Sequence, residues 1–545
     1  MLALALSLFP VVYSTPLVNS EPRLNARADT LPQPGQPTTV DASLIGGFAV
    51  VGTSGVSAQQ LFLGDAYHVY ILDKVESNPL PINDHSAWAT VYDLRTNIAT
   101  PLDVRTNTFC AGGGLLADGR WLNIGGNKAV EPGAVTNDDP ASQAGQNPYS
   151  DVDGRNTARF ITPGDGAQWQ NDPTLDMTTQ RWYPSVETLE DGRMLVMGGS
   201  KDGAFVNNLG INNPTYEIWP PAAGESVVDS PLLAGTLPAN QYPITHLLPS
   251  GEILINVNHN ASLLNYQTGG ETTLPAVPHA VRTYPASASS AMLPLSPANN
   301  YSATVMYCGG IDLQDGDWLA AGKSLIDIEA DKSCVKISPQ QSHDWEEEDY
   351  LPEGRVMGNA ILLPDGTILV VNGANKGVAG YADATQPWNR DDSLADSPLF
   401  TPVIFDPSRP AGQRWSRDGL KSSTVARMYH SSATLLPDGS VFISGSNPHA
   451  DYSPDKTFPT EYAVEIFYPP YYNKRRPEPA GIPTTISYGG ASFDLYLSKD
   501  DLNSDATNTV KKIKIVLART GFSTHALNFG MRNVELDYTY QLQTD

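Results

Sequence analysis

Short apolar runs, each broken by a polar turn that closes on glycine, recur along this chain. Leu115-Leu116-Ala117-Asp118-Gly119 leads through an aliphatic strand to Gly125-Gly126, and Thr188-Leu189-Glu190-Asp191-Gly192 leads in the same way to Gly198-Gly199. The phrase returns at Leu247-Leu248-Pro249-Ser250-Gly251, Leu362-Leu363-Pro364-Asp365-Gly366 and Leu435-Leu436-Pro437-Asp438-Gly439, with a weaker copy from Met292 to Cys308-Gly309-Gly310. Successive turn glycines lie 73, 59, 115 and 73 residues apart, and the weak copy falls inside the longest gap, so six units are visible. Asp-Gly between apolar strands is a strong hairpin signal. One four-stranded unit cannot bury both of its faces, so the units are expected to stack radially.

A repeat of this length with Gly-Gly after a buried strand matches the kelch pattern. The reading is therefore all-β, a seven-bladed kelch-type β-propeller over residues 35–472, favoured over a sandwich array with coincidental turns. The seventh blade is assembled from a strand near Gly46-Gly47-Phe48-Ala49-Val50-Val51 and one near Val464-Glu465-Ile466-Phe467. The proline-rich, basic Asn473-Lys474-Arg475-Arg476-Pro477 marks a domain boundary. Beyond it, over 477–545, strands predicted at 493–497 and 513–517 suggest a small immunoglobulin-like β-sandwich. The stretch from Pro132 to Asn156, rich in Gly, Pro, Asn, Asp and Ser, reads as a long surface loop.

Charge narrows the partners. Against 34 basic residues stand 59 acidic ones, a net charge of −25, which repels phosphate backbones and anionic lipid and argues against nucleic-acid or membrane partners. The apolar run from Leu2 to Tyr13 is too short to cross a bilayer, and with Ser14 it reads as a signal peptide over residues 1–14, although no basic residue precedes Arg23. A secreted, extracellular protein is expected. The sequons Asn260-Ala261-Ser262 and Asn300-Tyr301-Ser302 agree with that reading.

Candidate chemistry is sparse. The chain has no His-Glu-x-x-His, Cys-x-x-Cys, Walker loop or Gly-x-Ser-x-Gly, so the corresponding enzyme classes lack support. Of three cysteines, Cys308 and Cys334 lie close enough in sequence to pair, which leaves Cys110 for an intermolecular link or another covalent fate. Cys110, Tyr183 and the pair Tyr429-His430 each sit a few residues upstream of a repeat unit, so they occupy equivalent blade ends that converge on a propeller's channel. Neighbours in a strand face opposite ways, so Tyr429 and His430 share a target only where the backbone leaves β geometry. Taken singly, His430 reads as a structural histidine and Tyr183 as a core aromatic.

Together the segments Thr108-Phe109-Cys110-Ala111, Arg181-Trp182-Tyr183-Pro184-Ser185, Ala426-Arg427-Met428-Tyr429-His430-Ser431 and Gly521-Phe522-Ser523-Thr524-His525-Ala526 closely resemble the glyoxal oxidase branch of the copper radical oxidases, relatives of galactose oxidase. The resemblance runs from about Pro34 to Arg532. It implies one copper held by Tyr183, Tyr429, His430 and His525, with Tyr183 joined through its ring to the Cys110 sulfur as a protein-derived radical cofactor and Tyr429 as axial ligand and general base. Two imidazoles with phenolate and water oxygens suit Cu(II). A thioether on the phenol ring donates electron density and eases its oxidation, so copper and radical together supply two oxidising equivalents.

The implied reaction is oxidation of small aldehydes of the glyoxal or methylglyoxal type to carboxylic acids, with reduction of O2 to H2O2. Primary alcohols are expected as lesser substrates and galactose as a poor one, because Lys201 follows Gly198-Gly199-Ser200 where galactose oxidase has a tryptophan stacking over its cross-linked tyrosine. Only 20 residues follow His525, where relatives continue with further strands, so the reading allows for an incomplete terminal sandwich. The enzyme is expected to act as a monomer, its peroxide coupled to peroxidases. The rival readings are a catalytically silent secreted kelch propeller binding glycans or proteins, and a glycosidase, which needs paired channel carboxylates.

Overall fold

A computed structural model describes residues 39–383, 386–487, 489–503 and 505–542. The signal-peptide segment 1–14 lies outside them. Six four-stranded antiparallel sheets and one sheet of six strands make seven blades. Blades 2 to 6 begin with the strands Gly112–Leu115, Ser185–Thr188, Ile244–Leu247, Ser289–Met292 and Asn359–Leu362. Each runs back through an Asp-Gly, Ser-Gly or longer turn into a second strand such as Met194–Met197, in which every residue is buried. Such continuous burial follows from a blade packed on both faces. The Met194–Met197 strand, for example, packs Met194 and Val196 against blade 2 and Leu195 and Met197 against blade 4. Each fully buried Leu, Ile or Val in these layers contributes about 1.5–3 kcal/mol.

The closing blade differs from expectation. Phe48–Thr53 pairs with Ala463–Phe467, as the sequence suggests, but both complete the unit that opens with Ser432–Leu435 and form no separate blade. The blade without a visible repeat phrase is blade 1, made of Gln60–Leu63, His68–Leu72, Ala89–Asp93 and Ile98–Leu102. Completing one blade with strands from both ends of the propeller sequence closes the ring, with the N-terminal strand as the outer edge of that blade.

The segment 132–156 is more ordered than a loop. It contains Val135–Thr136, paired with Val130–Glu131, and one helical turn at Pro140–Gln143 whose N-terminus is capped by Asp139. Beyond the propeller, no strand forms at 493–497. Tyr496 makes a single bridge to Ala480 and is 61% exposed, so its apolar side finds no facing layer. The second predicted strand occurs as Ile515–Arg519, paired with Arg532–Leu536. Between these two, the hairpin Phe522–Thr524/Leu527–Phe529 adds to blade 1 through Leu61–Ser523 and Gln60–Thr524 pairing, and it fills the channel among the first strands of blades 2, 3, 6 and 7. Gly113 makes room for it, since a Cβ there would lie 2.4 Å from the Phe522 ring.

Candidate metal centre

Six blades enter their first strand through the same kink. The residue two positions upstream has positive φ in blades 2 to 7, namely Cys110 (+55°), Tyr183 (+61°), Tyr242 (+47°), Ser287 (+46°), Met357 (+59°) and His430 (+62°). None is glycine, so each turn carries strain on the order of 1–2 kcal/mol. Main-chain hydrogen bonds hold the kinks to one another: Tyr183 N–H donates to Cys110 C=O (3.0 Å), Tyr242 N–H to Tyr183 C=O (3.0 Å) and Met357 N–H to Ser287 C=O (2.6 Å). The backbone thus leaves β geometry at His430, the condition under which Tyr429 and His430 can face one target, and their rings stack with centroids 3.7 Å apart.

His525 arrives from below. With Ala526 it forms the two-residue turn of the channel hairpin, both residues at positive φ (+48° and +68°), the geometry of a type I′ turn. Thr524 Oγ1 hydrogen-bonds His525 Nδ1 at 2.7 Å, which turns Nε2 toward the other candidates. That nitrogen lies 3.4 Å from Cys110 Sγ and 3.3 Å from Tyr429 Oη. Tyr429 Oη lies 2.8 Å from Tyr183 Oη and 4.0 Å from Cys110 Sγ. One donor atom each from Cys110, His430 and His525 fits within 4.8 Å. All five residues of the expected constellation therefore meet at one point.

Burial sets the protonation there. It pushes the Cys110 thiol and the Tyr183 and Tyr429 phenols well above their usual values. His525 is lowered to about 3 by burial, and His430 is lowered by burial and then by His525. In the metal-free protein all five groups are neutral, and a bound cation would reverse the balance by displacing the phenol protons. The donor set suits such an ion, because two imidazoles and two phenol oxygens converge. The Cys110 sulfur and the Tyr183 hydroxyl both lie beside Tyr429 Oη, at 4.0 and 2.8 Å.

Several neighbours escaped the sequence reading. Tyr284 accepts a hydrogen bond from Tyr183 Oη at 3.1 Å. Its signal was present, because Arg282-Thr283-Tyr284 repeats the Arg-x-Tyr of Arg181-Trp182-Tyr183 and Arg427-Met428-Tyr429. Trp182, beside Tyr183 in sequence, lays its ring against the Tyr183 ring (4.5 Å, 66°), while Lys201 is exposed. Tyr381, carried on the hairpin Ala374–Tyr381/Ser393–Pro398 inserted in blade 6, stacks on Phe109 (6.1 Å, 17°), and Phe109 in turn meets His430 edge-on.

Comparison with known proteins agrees with this geometry. Residues 131–471 match the glyoxal oxidase N-terminus family, and 476–545 match the galactose oxidase-like early set domain. The chain is 32% identical over 467 residues to an aldehyde oxidase GLOX of Vitis pseudoreticulata, covering 83% of this chain and 77% of that one, and 30% identical over 469 residues to aldehyde oxidase GLOX1 of Arabidopsis thaliana, covering 83% and 67%. A solved fungal alcohol oxidase in complex with copper shares the fold, with a TM-score of 0.61 at 17% identity over 93% of this chain and 90% of that one. A family match over most of the propeller, and relatives at 30% identity or more over most of their length, establish that the chain belongs to the glyoxal oxidase family of copper radical oxidases.

Proposed function

We propose that this protein oxidises small aldehydes, as their hydrated gem-diols, to carboxylic acids while O2 is reduced to H2O2, with primary alcohols as lesser substrates and galactose a poor one. The observation that carries the reading is the 2.8 Å approach of the Tyr183 and Tyr429 hydroxyls beside Cys110, with His430 and His525 adjoining. Copper held by Tyr183, Tyr429, His430 and His525 would supply one of the two oxidising equivalents. The other resides on Tyr183, made easier to oxidise by a thioether to Cys110. Tyr429, as phenolate, would accept the substrate hydroxyl proton, and Tyr183, as the radical, would take a hydrogen atom from the carbon. The gem-diol thus loses two electrons and two protons, which O2 takes up as peroxide.

The same surroundings favour a small substrate. Cys110, Tyr183, Tyr429 and His430 are at most 2% exposed, among Phe109, Trp182, Tyr284 and the ring of Tyr381. A disulfide, Cys308–Cys334, joins neighbouring strands of blade 5, and among the described residues no helix is long and apolar enough to cross a membrane. These features support a secreted protein, and we take it to be a monomer whose peroxide feeds peroxidases.

The test is a peroxide-coupled assay of copper-loaded, one-electron-oxidised protein with glyoxal, methylglyoxal, glycerol, benzyl alcohol and galactose. Peroxide from the aldehydes first is the expected result. Peroxide from galactose and from no aldehyde would overturn the substrate class.

A further inference from the structure

Blade 2 differs from blades 3 and 7 at two facing positions. In blade 3 the second strand carries Val196 opposite Glu217 on the third, and in blade 7 Ile443 stands opposite Glu465. Both glutamates accept from a buried arginine, Glu217 from Arg181 and Glu465 from Arg427, each at 2.9 Å. The same positions in blade 2 hold Asn123 opposite Arg159. Arg159 is fully buried and gives its hydrogen bonds to neutral oxygens, which makes this replacement costly to solvate unless its donors are used.

They are used in series. A guanidinium can only donate, so Arg159 Nη1 at 2.9 Å fixes Asn123 Oδ1 toward itself. Asn123 Nδ2 then donates to Gln60 Oε1 at 2.6 Å. The Gln60 nitrogen donates to Thr108 C=O (2.7 Å) and to Gln59 Oε1 (3.2 Å), and the carbonyl, an acceptor only, confirms the orientation independently. What remains at the end of the relay is the Gln59 amide nitrogen, 3.3 Å from Cys110 Sγ and 3.1 Å from His430 Nε2. Burial lowers Arg159 to about 9, so the head of the relay stays cationic at neutral pH and polarises the amides along it.

Resting on the functional reading above, we propose that Gln59 is a positioning residue for the radical centre: its N–H, oriented by Arg159 through Asn123 and Gln60, donates to the Cys110 sulfur and raises the potential at which the Cys110–Tyr183 unit loses its electron. A donor on sulfur stabilises the electron-rich reduced state over the oxidised one, as it does at metal-bound cysteines. The second hydrogen of the same amide faces His430 Nε2 and makes that atom the acceptor, so the metal-free protein holds His430 as the Nδ1–H tautomer.

Two measurements test this. In copper-loaded protein with the cross-linked peptide recovered at wild-type yield, Gln59→Met, of similar length but without a donor, shifts the midpoint potential of the one-electron oxidation downward. Gln60→Leu, which leaves Gln59 in place but unoriented, shifts it less. Equal potentials in wild type and both variants overturn the proposal. In metal-free protein labelled with 15N-histidine, wild type shows His430 protonated on Nδ1 and Gln59→Met loses that preference; an Nε2–H tautomer in wild type overturns the relay even if a variant fails to fold. Failure of the functional reading shows separately, as free, alkylatable Cys110 in aerobically copper-loaded wild type, and removes the claim about potential with it.

Discussion

Blades 2, 3 and 7 and blades 4, 5 and 6 make the same left-handed kink before their first strand, yet the two halves of the ring put different groups on it. One half presents Cys110, Tyr183 and His430; the other presents Tyr242, Ser287 and Met357. The kink is therefore a property of the propeller, a way to turn a chain inward at the channel mouth, and the chemistry is a choice of side chain laid over it. The reactive half is also where the channel hairpin brings its tip, with the rings of Tyr242 (4.8 Å) and Tyr284 (5.8 Å) reaching His525 from the other half. Substitutions that separate the two halves should accordingly differ by orders of magnitude in activity and little in fold.

The largest effect is expected at His525. His525→Ala removes an imidazole from the tip of a hairpin whose pairing to Gln60 and Leu61 is main-chain, so stoichiometric copper binding is lost and turnover falls by about 10³-fold or more while the melting temperature changes little. Metal analysis beside calorimetry decides it; full turnover with one bound copper would disprove the ligand assignment. Cys110→Ser comes next. It leaves the site's oxygens and imidazoles in place but removes the sulfur, and a loss of roughly 10²-fold in turnover is expected. In the wild type, tryptic mass spectrometry should find the Cys110 and Tyr183 peptides joined, lighter by two hydrogens and resistant to reduction.

A smaller effect distinguishes the inner strands themselves. Glu187 of blade 3 is buried, and burial raises it to about 7 despite Arg532 and Arg519 nearby. A carboxyl raised in the folded state favours folding below its unfolded value near 4.5 and withdraws that contribution as pH climbs to 7. Relative to Glu187→Gln, the wild type should lose about 1.4 kcal/mol of stability per pH unit across that window. Chemical denaturation at pH 4.5, 5.5 and 7 reads the slope, and parallel profiles for the two proteins would refute it. Least of all should come from Ser287→Ala, at the kink of blade 5, with stability changed by less than about 1 kcal/mol and turnover unchanged. A large loss of activity there would end the distinction between the two halves.

The sequence announced those blades whose first turn uses Asp-Gly or Ser-Gly, or whose second strand is followed by glycine. Blade 1 stayed hidden because its first turn runs Gly64-Asp65-Ala66-Tyr67 and its second strand is followed by Asp73-Lys74, neither of which repeats the phrase. At the centre, Cys110, Tyr183, Tyr429 and His430 stood out because rare side chains recurred at equivalent offsets, whereas His525, beyond the propeller, entered only through the family resemblance. The kink that aims them was not, since positive φ is usually signalled by glycine and here falls on Cys, Tyr, Ser, Met and His. Gln59 was silent for another reason: an amide's importance lies in which of its ends faces what, and that is settled only by Gln60 beside it and by Asn123 and Arg159 on the second and third strands of blade 2.

The channel hairpin also imposes an order in time. Cys110 and His525 are 415 residues apart, so on the ribosome the thiol and its phenol partner emerge long before the last imidazole does. Blade 7 itself closes only when Ala463–Phe467 reaches back to Phe48–Thr53. A nascent chain thus carries Cys110 and Tyr183 through most of its synthesis without the group that completes their pocket. On the proposed chemistry, the joining of Cys110 to Tyr183 is then a post-translational event that awaits the seating of one short hairpin in the channel.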